Sequence, residues 1–193
     1  MANKIQYGLK NVHYAKLTET VNSQGTTSYS YGTVKAWPGA VSLSLDPQGD
    51  ILKEYADDIE WYTQAVNNGY EGDFEYEVMP DDFRENILGE TKDSNNVYVE
   101  SDDVSTTYFA LLFEVNGDSK KRRNVFYKCS ATREQNENET KGENITPTHG
   151  TITITAVPRA DHKVKASTGD NTNSTTYDGW YSEVYESPAA TTT

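Results

Sequence analysis

The fold is decided by residues 106–115, TTYFALLFEV, and residues 122–133, RRNVFYKCSATR, which flank a short polar turn. Both stretches are rich in aromatic and β-branched residues, which favour strands. Asn116 and Gly117 begin the turn, and this pair readily adopts the positive φ angles of tight hairpins. The pattern therefore predicts an antiparallel β-hairpin. The unbroken apolar run at residues 109–113 indicates that its first strand is covered on both faces.

Alternation of apolar and polar residues predicts further strands, each with one buried face. The pattern occurs at residues 28–36, 41–45, 73–78 and 150–157, and the last of these runs ends at Pro158. Helical periodicity is rare in the remaining chain. The sequence therefore predicts a mainly β protein.

One short helix is predicted over residues 81–88. Pro80 suits a helix start, and Asp81 and Asp82 complement the helix dipole in the first turn. Gly89 is placed to end the helix. We expect the apolar residues of this segment, Phe83, Ile87 and Leu88, to form its buried stripe.

Three segments carry weaker patterns. Residues 51–61 fit either an amphipathic helix or an irregular edge segment, and the sequence leaves this open. Residues 134–147 are polar and unpatterned, which predicts a long loop. We expect one β-rich domain over residues 1–165 and a flexible C-terminal arm with an aromatic anchor over residues 166–193.

Composition excludes several classes of protein. The single cysteine, Cys129, cannot form an intramolecular disulfide, and no apolar run of about 18 residues could span a bilayer. The three histidines lie far apart and fit no zinc spacing. The local motifs of common hydrolases and nucleotide-binding proteins are missing. We therefore expect no enzyme, no catalytic residues and no cofactor. A calcium loop at residues 46–50 is an alternative to a simple acidic turn.

Charge is strongly segregated along the chain. The formal net charge is −13, yet residues 46–103 hold 18 acidic and three basic residues, a local charge of −15 that leaves +2 for the rest. This acidic balance argues against a protein that grips nucleic acid, because such binding requires a concentrated basic face.

A basic cluster follows the predicted hairpin turn and consists of Lys120, Lys121, Arg122 and Arg123. Three interpretations are open at this point. The cluster is a solvated hairpin tip, a localisation or nucleic-acid patch, or a contact for the acidic surface of the next copy. A head-to-tail contact of the third kind propagates into rings or filaments.

Short motifs occur along nearly the whole chain. They are YGLKNVHYA at 7–15, VSLSLDPQGD at 41–50, GYEGD at 69–73, FALLFEV at 109–115, GD at 117–118 with KRR at 121–123, and FYKC at 126–129. Residues 83–89, 151–158 and 164–166 add to the set. Taken in this order, these motifs resemble the major tail proteins of long-tailed phages that infect Gram-positive bacteria.

The resemblance implies a β-sandwich or β-barrel with a flanking helix. Members of this family assemble into six-fold rings that stack into a hollow tube, through which DNA leaves the capsid without specific binding. The expected partners are other copies of the chain and the tape-measure, distal-tail and terminator proteins, with no membrane. The expected location is the virion tail, after synthesis and assembly in the host bacterial cytoplasm.

The resemblance also suggests roles for the charged residues. We expect the basic cluster to make assembly contacts. We expect an acidic surface to face either the lumen or the next ring, where carboxylates in a lumen would repel DNA phosphates. The candidate acidic residues are Asp46, Asp50, Asp57, Asp58, Glu71 and Asp73.

The alternative function is a monomeric β-sandwich module that binds carbohydrate or a cell surface. Trp37, Trp61 and Trp180 would then form a stacking platform for sugar rings. Scattered tryptophans are more often core residues or interface anchors.

Overall fold

The computed structural model describes residues 5, 7–103, 107–117, 120–136, 140 and 148–188. Within these residues the chain forms thirteen strands and two short helical segments. The strands are β1 Tyr7–Val21, β2 Thr27–Tyr31, β3 Lys35–Ala36, β4 Ala40–Gln48, β5 Ile51–Ala56, β6 Ile59–Ala65, β7 Gly69–Tyr76, β8 Thr91–Lys92, β9 Tyr98–Val99, β10 Phe109–Asn116, β11 Arg122–Ala131, β12 Gly150–Ala156 and β13 Lys165–Ser167. The mainly β fold class is confirmed.

A single large antiparallel sheet dominates the molecule. Its strand order is β2-β1-β10-β11-β12-β7-β4, with β13 added to β11 and β3 added to β1. The predicted hairpin is present as β10 and β11, which pair Leu111 with Phe126 and Val115 with Arg122. The sheet folds into a first half, β2-β1-β10-β11, and a second half, β12-β7-β4, whose facing sides share one apolar core.

The strands at the N-terminus depart from the predicted pattern. The run at residues 28–36 divides into β2 and β3, and β1 is a long strand that alternation did not predict. Pairing of β1 with β10 shifts register between Lys10 and His13, where Asn11 has a φ of 50°. A bulge of this kind interrupts the period of two, which hides the strand in the sequence.

The chain at residues 51–65 forms a β-hairpin rather than the helix or irregular segment expected for residues 51–61. Strands β5 and β6 pair from Ile51 with Ala65 to Ala56 with Ile59. Asp57 and Asp58 form the tip and both have positive φ, at 52° and 61°. Aspartate tolerates this conformation, which two-residue hairpin turns require.

Two helical segments pack on the sheet. The first is α1, Asp81–Phe83, which continues as a wider turn over Arg84–Leu88 and ends at Gly89 with a φ of 81°. Phe83 and Ile87 are buried as predicted. The second is α2, Ser174–Asp178, followed by a tight turn at Gly179–Tyr181, and the sequence analysis did not predict it. No helix in the described part of the chain is long and apolar enough to cross a membrane.

Aromatic rings fill the core between the two halves of the sheet. Trp37 lies at its centre with 1% of its surface exposed, and its ring centroid is 4.4 Å from Phe83 and 5.0 Å from Phe74. The indole Nε1 donates a hydrogen bond of 3.0 Å to the Val78 carbonyl oxygen. The polar tip of the largest core residue is therefore satisfied, as a buried indole requires.

The opposite face of the first half of the sheet is covered by residues 168–188, which follow β13 and which we call the C-terminal segment. Trp180 and Val184 pack on Ala110, Leu112 and the neighbouring strand residues of β1 and β11. Strand β10 is consequently buried on both faces, as the apolar run predicted. The proposed boundary at residue 165 stays a prediction, and most of the predicted 134–147 loop lies outside the described residues.

The sheet registers define two ends of the molecule. Gln48 pairs with Gly69, Tyr70 pairs with Ala156, and Ala156 pairs with Cys129, so β4 ends and β7 begins at the end where β11 begins. The β5–β6 hairpin projects from this end, which we call the hairpin end. The turn between β1 and β2 lies at the opposite end.

Loss of the central indole should destabilise the fold. Trp37→Ala leaves a cavity among aromatic rings and orphans the Val78 carbonyl, so the free energy of unfolding should fall by about 3–5 kcal/mol. The matched control is Trp61→Ala, at a side chain that is 69% exposed, which should change it by about 0.5 kcal/mol or less. Urea unfolding followed by far-UV circular dichroism measures both. Equal losses would place the two tryptophans in equivalent environments and contradict the fold.

Candidate assembly surface

The β5–β6 hairpin stands away from the rest of the described chain. Every residue of both strands is exposed to solvent. At its root the Val66 N–H donates to the Asp50 carbonyl oxygen at 3.0 Å and the Asn68 N–H donates to the Gln48 carbonyl oxygen at 2.9 Å. Gly49 has a φ of 142°, and any side chain there would clash with the Val66 carbonyl. Position 49 at the root of the hairpin therefore requires glycine.

The hairpin is apolar and acidic at once. Its exposed large hydrophobic residues are Ile51, Leu52, Tyr55, Ile59, Trp61 and Tyr62. It carries four carboxylates and one lysine, a net charge of −3. Isolated two-stranded hairpins are marginally stable in water, and exposed apolar patches of this kind mark interaction surfaces. We call this hairpin, residues 51–65, the projecting hairpin.

The six candidate acidic residues lie on neighbouring elements. Asp57 and Asp58 form the tip of the projecting hairpin, and Asp50 lies at its root. The other three, Asp46, Glu71 and Asp73, are exposed on β4 and β7. The structure thus brings all six to one strand pair and the hairpin that extends it.

Carboxylates face each other on the outer side of β4 and β7. Asp46 pairs directly with Glu71, and Asp73 accepts a hydrogen bond of 2.9 Å from the Thr153 hydroxyl. Like charges directly opposite on a sheet destabilise it. No group of three residues able to ligate a metal occurs among the described residues. The outer face of β4, β7 and β12 therefore presents negative charge in a hydroxyl-rich surface.

Two strands end the large sheet. Strand β4 is hydrogen-bonded to β7 along one side, and β2 is hydrogen-bonded to β1 at the other end of the strand order. Pro47 lies in β4 and lacks an N–H group, as edge strands tolerate. Such edges offer backbone groups to a strand from another chain.

Part of the basic cluster pairs with a buried carboxylate inside the subunit. Glu114 on β10 is 1% exposed, and its oxygens lie 3.1 Å from Arg123 Nε and 3.2 Å from Lys121 Nζ. A buried carboxylate is strongly destabilising without such partners. Arg123 also donates to the Tyr177 carbonyl oxygen and stacks 3.9 Å from the centre of the Tyr177 ring.

The remaining two cations differ in their contacts. Lys120 donates to the Thr172 carbonyl oxygen at 2.6 Å and lies 4.7 Å from the Tyr177 ring centre. Arg122 is half-buried, and its Nε atom has no hydrogen-bond partner among the described residues. The side chains of Lys120 and Arg123 thus attach the C-terminal segment to the sheet, and the Lys121 carbonyl oxygen accepts a hydrogen bond of 3.0 Å from the Tyr177 hydroxyl. Contacts of the cluster with another copy stay a prediction.

A second group of ion pairs, centred on Arg159, holds the C-terminal segment near Glu186, and the sequence analysis did not predict it. The Arg159 side chain is 2% exposed and pairs with Asp161 and Glu186. It also donates to the Tyr31 hydroxyl at 2.9 Å. The hydrogen bonds from Arg159 lower the pKa of Asp161 to about 2. Asp161 is two residues from Arg159, but Tyr31 and Glu186 lie on separate segments, so no local motif reveals the whole set.

Burial raises the pKa of three tyrosines in and beneath the C-terminal segment. Desolvation raises the pKa of Tyr127 to about 12 and raises the pKa of Tyr31 and Tyr181 further. These phenols therefore stay neutral at physiological pH and act as packing groups, and the Tyr31 hydroxyl also donates a hydrogen bond of 3.0 Å to the Tyr127 carbonyl oxygen.

The three tryptophans do not share a surface. Trp37 and Trp180 are buried in the two separate cores, and Trp61 is exposed on the projecting hairpin. The exposed aromatic residues of the hairpin, Tyr55, Trp61 and Tyr62, remain available to a partner.

A polar crevice of about 290 Å³ lies beside the first helical segment and is lined by charged residues. Arg84 is 3.3 Å from Glu134 and 3.6 Å from Glu90 across it. At its rim Arg133 pairs with Glu100 at 2.8 Å. The charges in this crevice largely neutralise one another.

No protein-family model matches the chain, and a search of curated proteins finds no match. The projecting hairpin, the open sheet edges and the acidic face are therefore the features from which function has to be argued.

Removal of Arg123 should weaken attachment of the C-terminal segment. Arg123→Ala leaves Glu114 buried with Lys121 alone, so the free energy of unfolding should fall by about 3 kcal/mol. Limited proteolysis should then cleave near α2 faster than in the unchanged protein. The matched control is Arg133→Ala, which breaks an exposed pair with Glu100 and should cost about 0–1 kcal/mol. Equal effects of the two changes would contradict the role of Arg123 in holding the C-terminal segment on the sheet.

The Asp161 pair predicts a pH-dependent contribution to stability. The pKa of Asp161 is lowered in the folded state, so its stabilising contribution is present above about pH 4 and is lost as pH falls towards 2. Asp161→Asn should therefore lower the free energy of unfolding by about 1 kcal/mol at pH 7, allowing for partial exposure, with a smaller effect near pH 2. Urea titrations between pH 2 and 7 measure this. The exposed Asp102→Asn is the control, and a pH-independent effect of Asp161→Asn would refute the assignment.

Proposed function

We propose that this chain is a self-assembling structural subunit of a bacteriophage tail tube, which stacks as rings around a channel for DNA. The projecting hairpin is the observation that carries the proposal. It exposes six large hydrophobic residues on two strands that bury none of their side chains against the body. A partner surface is the physical means to stabilise such an arm.

Assembly from identical subunits fits the form of this arm. A hairpin that docks on a different part of the next copy makes a heterologous contact. Heterologous contacts close into rings or extend into filaments. A tube of stacked rings combines both outcomes.

The open edges of the large sheet supply a second means of association. Strands β4 and β2 lie at the two ends of the strand order, and each offers backbone groups along its outer side. Pairing between edges of adjacent subunits would extend one sheet into a continuous wall. Such a wall would enclose the hollow tube that the sequence resemblance implies.

The acidic face of β4 and β7 suits a channel for DNA. Asp46, Glu71 and Asp73 are exposed on this face, and Asp46 opposes Glu71 in spite of their like charge. Clustered carboxylates repel the phosphate backbone, so DNA would slide past without binding. We place this face towards the lumen in the proposed tube.

The phage context comes from the sequence resemblance to major tail proteins. On this proposal the subunit resides in the virion tail and meets the tape-measure, distal-tail and terminator proteins. The competing proposal, a monomeric module that binds carbohydrate or a cell surface, draws support from the exposed Tyr55, Trp61 and Tyr62. Aromatic side chains serve sugar stacking as well as protein interfaces.

Removal of the projecting hairpin tests the proposal. Asp50 and Val66 are already joined by a backbone hydrogen bond, so residues 51–65 can be replaced by an Asn-Gly turn. The shortened chain should keep its β-type circular dichroism spectrum and lose assembly. Negative-stain electron microscopy of the concentrated unchanged protein should show rings or tubes with a stain-filled channel, and the shortened chain should give small particles only.

The control carries Ser182→Ala, at an exposed side chain on the segment that covers the first half of the sheet, and it should assemble normally. Tubes formed by the shortened chain would remove the hairpin from assembly. Unchanged protein that stays monomeric and shows glycan-dependent quenching of tryptophan fluorescence would overturn the tube proposal in favour of the binding module.

A further inference from the structure

An apolar groove opens between the two halves of the sheet at the hairpin end. Its volume is about 360 Å³, within the range of ligand-sized clefts. The principal apolar residues of its lining are Leu9, Leu43, Leu45, Tyr70, Phe113 and Phe126. These residues extend the main core to the surface, and most of them are only partly buried. The groove is therefore an exposed continuation of the core.

One cation stands at the rim of this groove. Lys165 Nζ lies 4.4 Å from the centre of the Tyr70 ring and 5.8 Å from that of Phe126. Among the described residues Lys165 forms no ion pair with a carboxylate. A partner that combined apolar side chains with negative charge would satisfy both the groove and its rim.

The projecting hairpin has these two properties. Trp61, Tyr55 and Ile59 are among its most exposed side chains, and its net charge is −3. Tryptophan in a fully desolvated pocket is the residue type that contributes most to protein interfaces. The hairpin and the groove are therefore complementary in both polarity and charge.

The hairpin of the same chain leaves this groove open. It continues from β4 and β7, the strands that carry Leu43, Leu45 and Tyr70 in the groove. Its own side chains are nevertheless exposed along both strands. The occupant that the groove fits is consequently the hairpin of a second copy.

We infer that the apolar groove receives the Trp61-bearing hairpin of a neighbouring copy, and that this contact joins copies side by side within one layer. The inference rests on the proposed function. Stacking of layers by translation brings the hairpin end of one copy against the opposite end of the next. Hairpin and groove lie at the same end, so their contact requires neighbours within a layer.

Cross-linking between two variants that each carry one introduced cysteine tests the inference. One chain carries Ile59→Cys on the hairpin, and the other carries Val115→Cys at the groove. The native Cys129 is fully buried and its pKa is raised by desolvation, so it should stay unreactive towards maleimides. A short bismaleimide added to the assembled mixture should link the two variants.

The cross-link should depend on the anchor and on the rim charge. Trp61→Ser in the hairpin chain should lower its yield roughly tenfold. Lys165→Glu in the groove chain should lower the yield more at low salt than at high salt, because exposed charges are screened by salt. Ser182→Cys, at an exposed position away from both ends, replaces Ile59→Cys in the control and should give little product.

The outcomes separate the inference from the proposed function. Rings or tubes that form without the Ile59–Val115 cross-link, or with an equal yield from the Ser182 control, would overturn the groove assignment and leave the tube proposal standing. If rings, tubes and cross-links were all absent, both the groove assignment and the tube proposal would be overturned. A cross-link that Trp61→Ser abolishes would support the groove as the acceptor.

Discussion

Burial of strand β10 on both faces is the constraint on which the rest of the structure depends. Phe109 and Leu111 point into the core between the two halves of the sheet, and Ala110 and Leu112 point to the opposite side. An apolar strand with two dry faces needs two covering layers. The second half of the sheet supplies one layer and the C-terminal segment supplies the other, so the segment that carries Trp180 and Val184 is an integral part of the fold.

The ion pairs around Arg123 and Arg159 are explained by the need to hold this covering segment in place. A covering segment with few apolar residues gains limited hydrophobic stabilisation, and charged pairs at its two ends fix its position. Glu114 with Arg123 secures the segment near α2, and Arg159 with Glu186 secures its end. Cations that the sequence presents as a surface cluster are therefore largely used within the subunit. The free negative charge remains on β4, β7 and the projecting hairpin.

Sequence patterns predicted the elements whose burial is regular. The β10–β11 hairpin, the alternating β12 strand and the helical turn with Phe83 and Ile87 were all visible as apolar periodicity. Strand β1 was missed because the bulge near Asn11 breaks its period. The secondary structure of the projecting hairpin was left open because neither of its faces is buried in the subunit. No alternation of buried and exposed residues therefore marks its strands. The six candidate acidic residues lie on β4, β7 and the projecting hairpin, and their role in assembly stays a prediction. The Arg159 contacts with Tyr31 and Glu186 join distant segments, which no local motif records.

The root of the projecting hairpin has a mechanical consequence. Glycines at positions 49 and 69 bring backbone against backbone there, and no side chain of either residue ties the arm to the body. The arm is attached through two strands and their hydrogen bonds, which tolerate small changes of angle. A filament built through such arms would bend by pivoting at these roots while each subunit body keeps its shape. Curvature would then be spread over many joints, and the channel would stay open along a bent path.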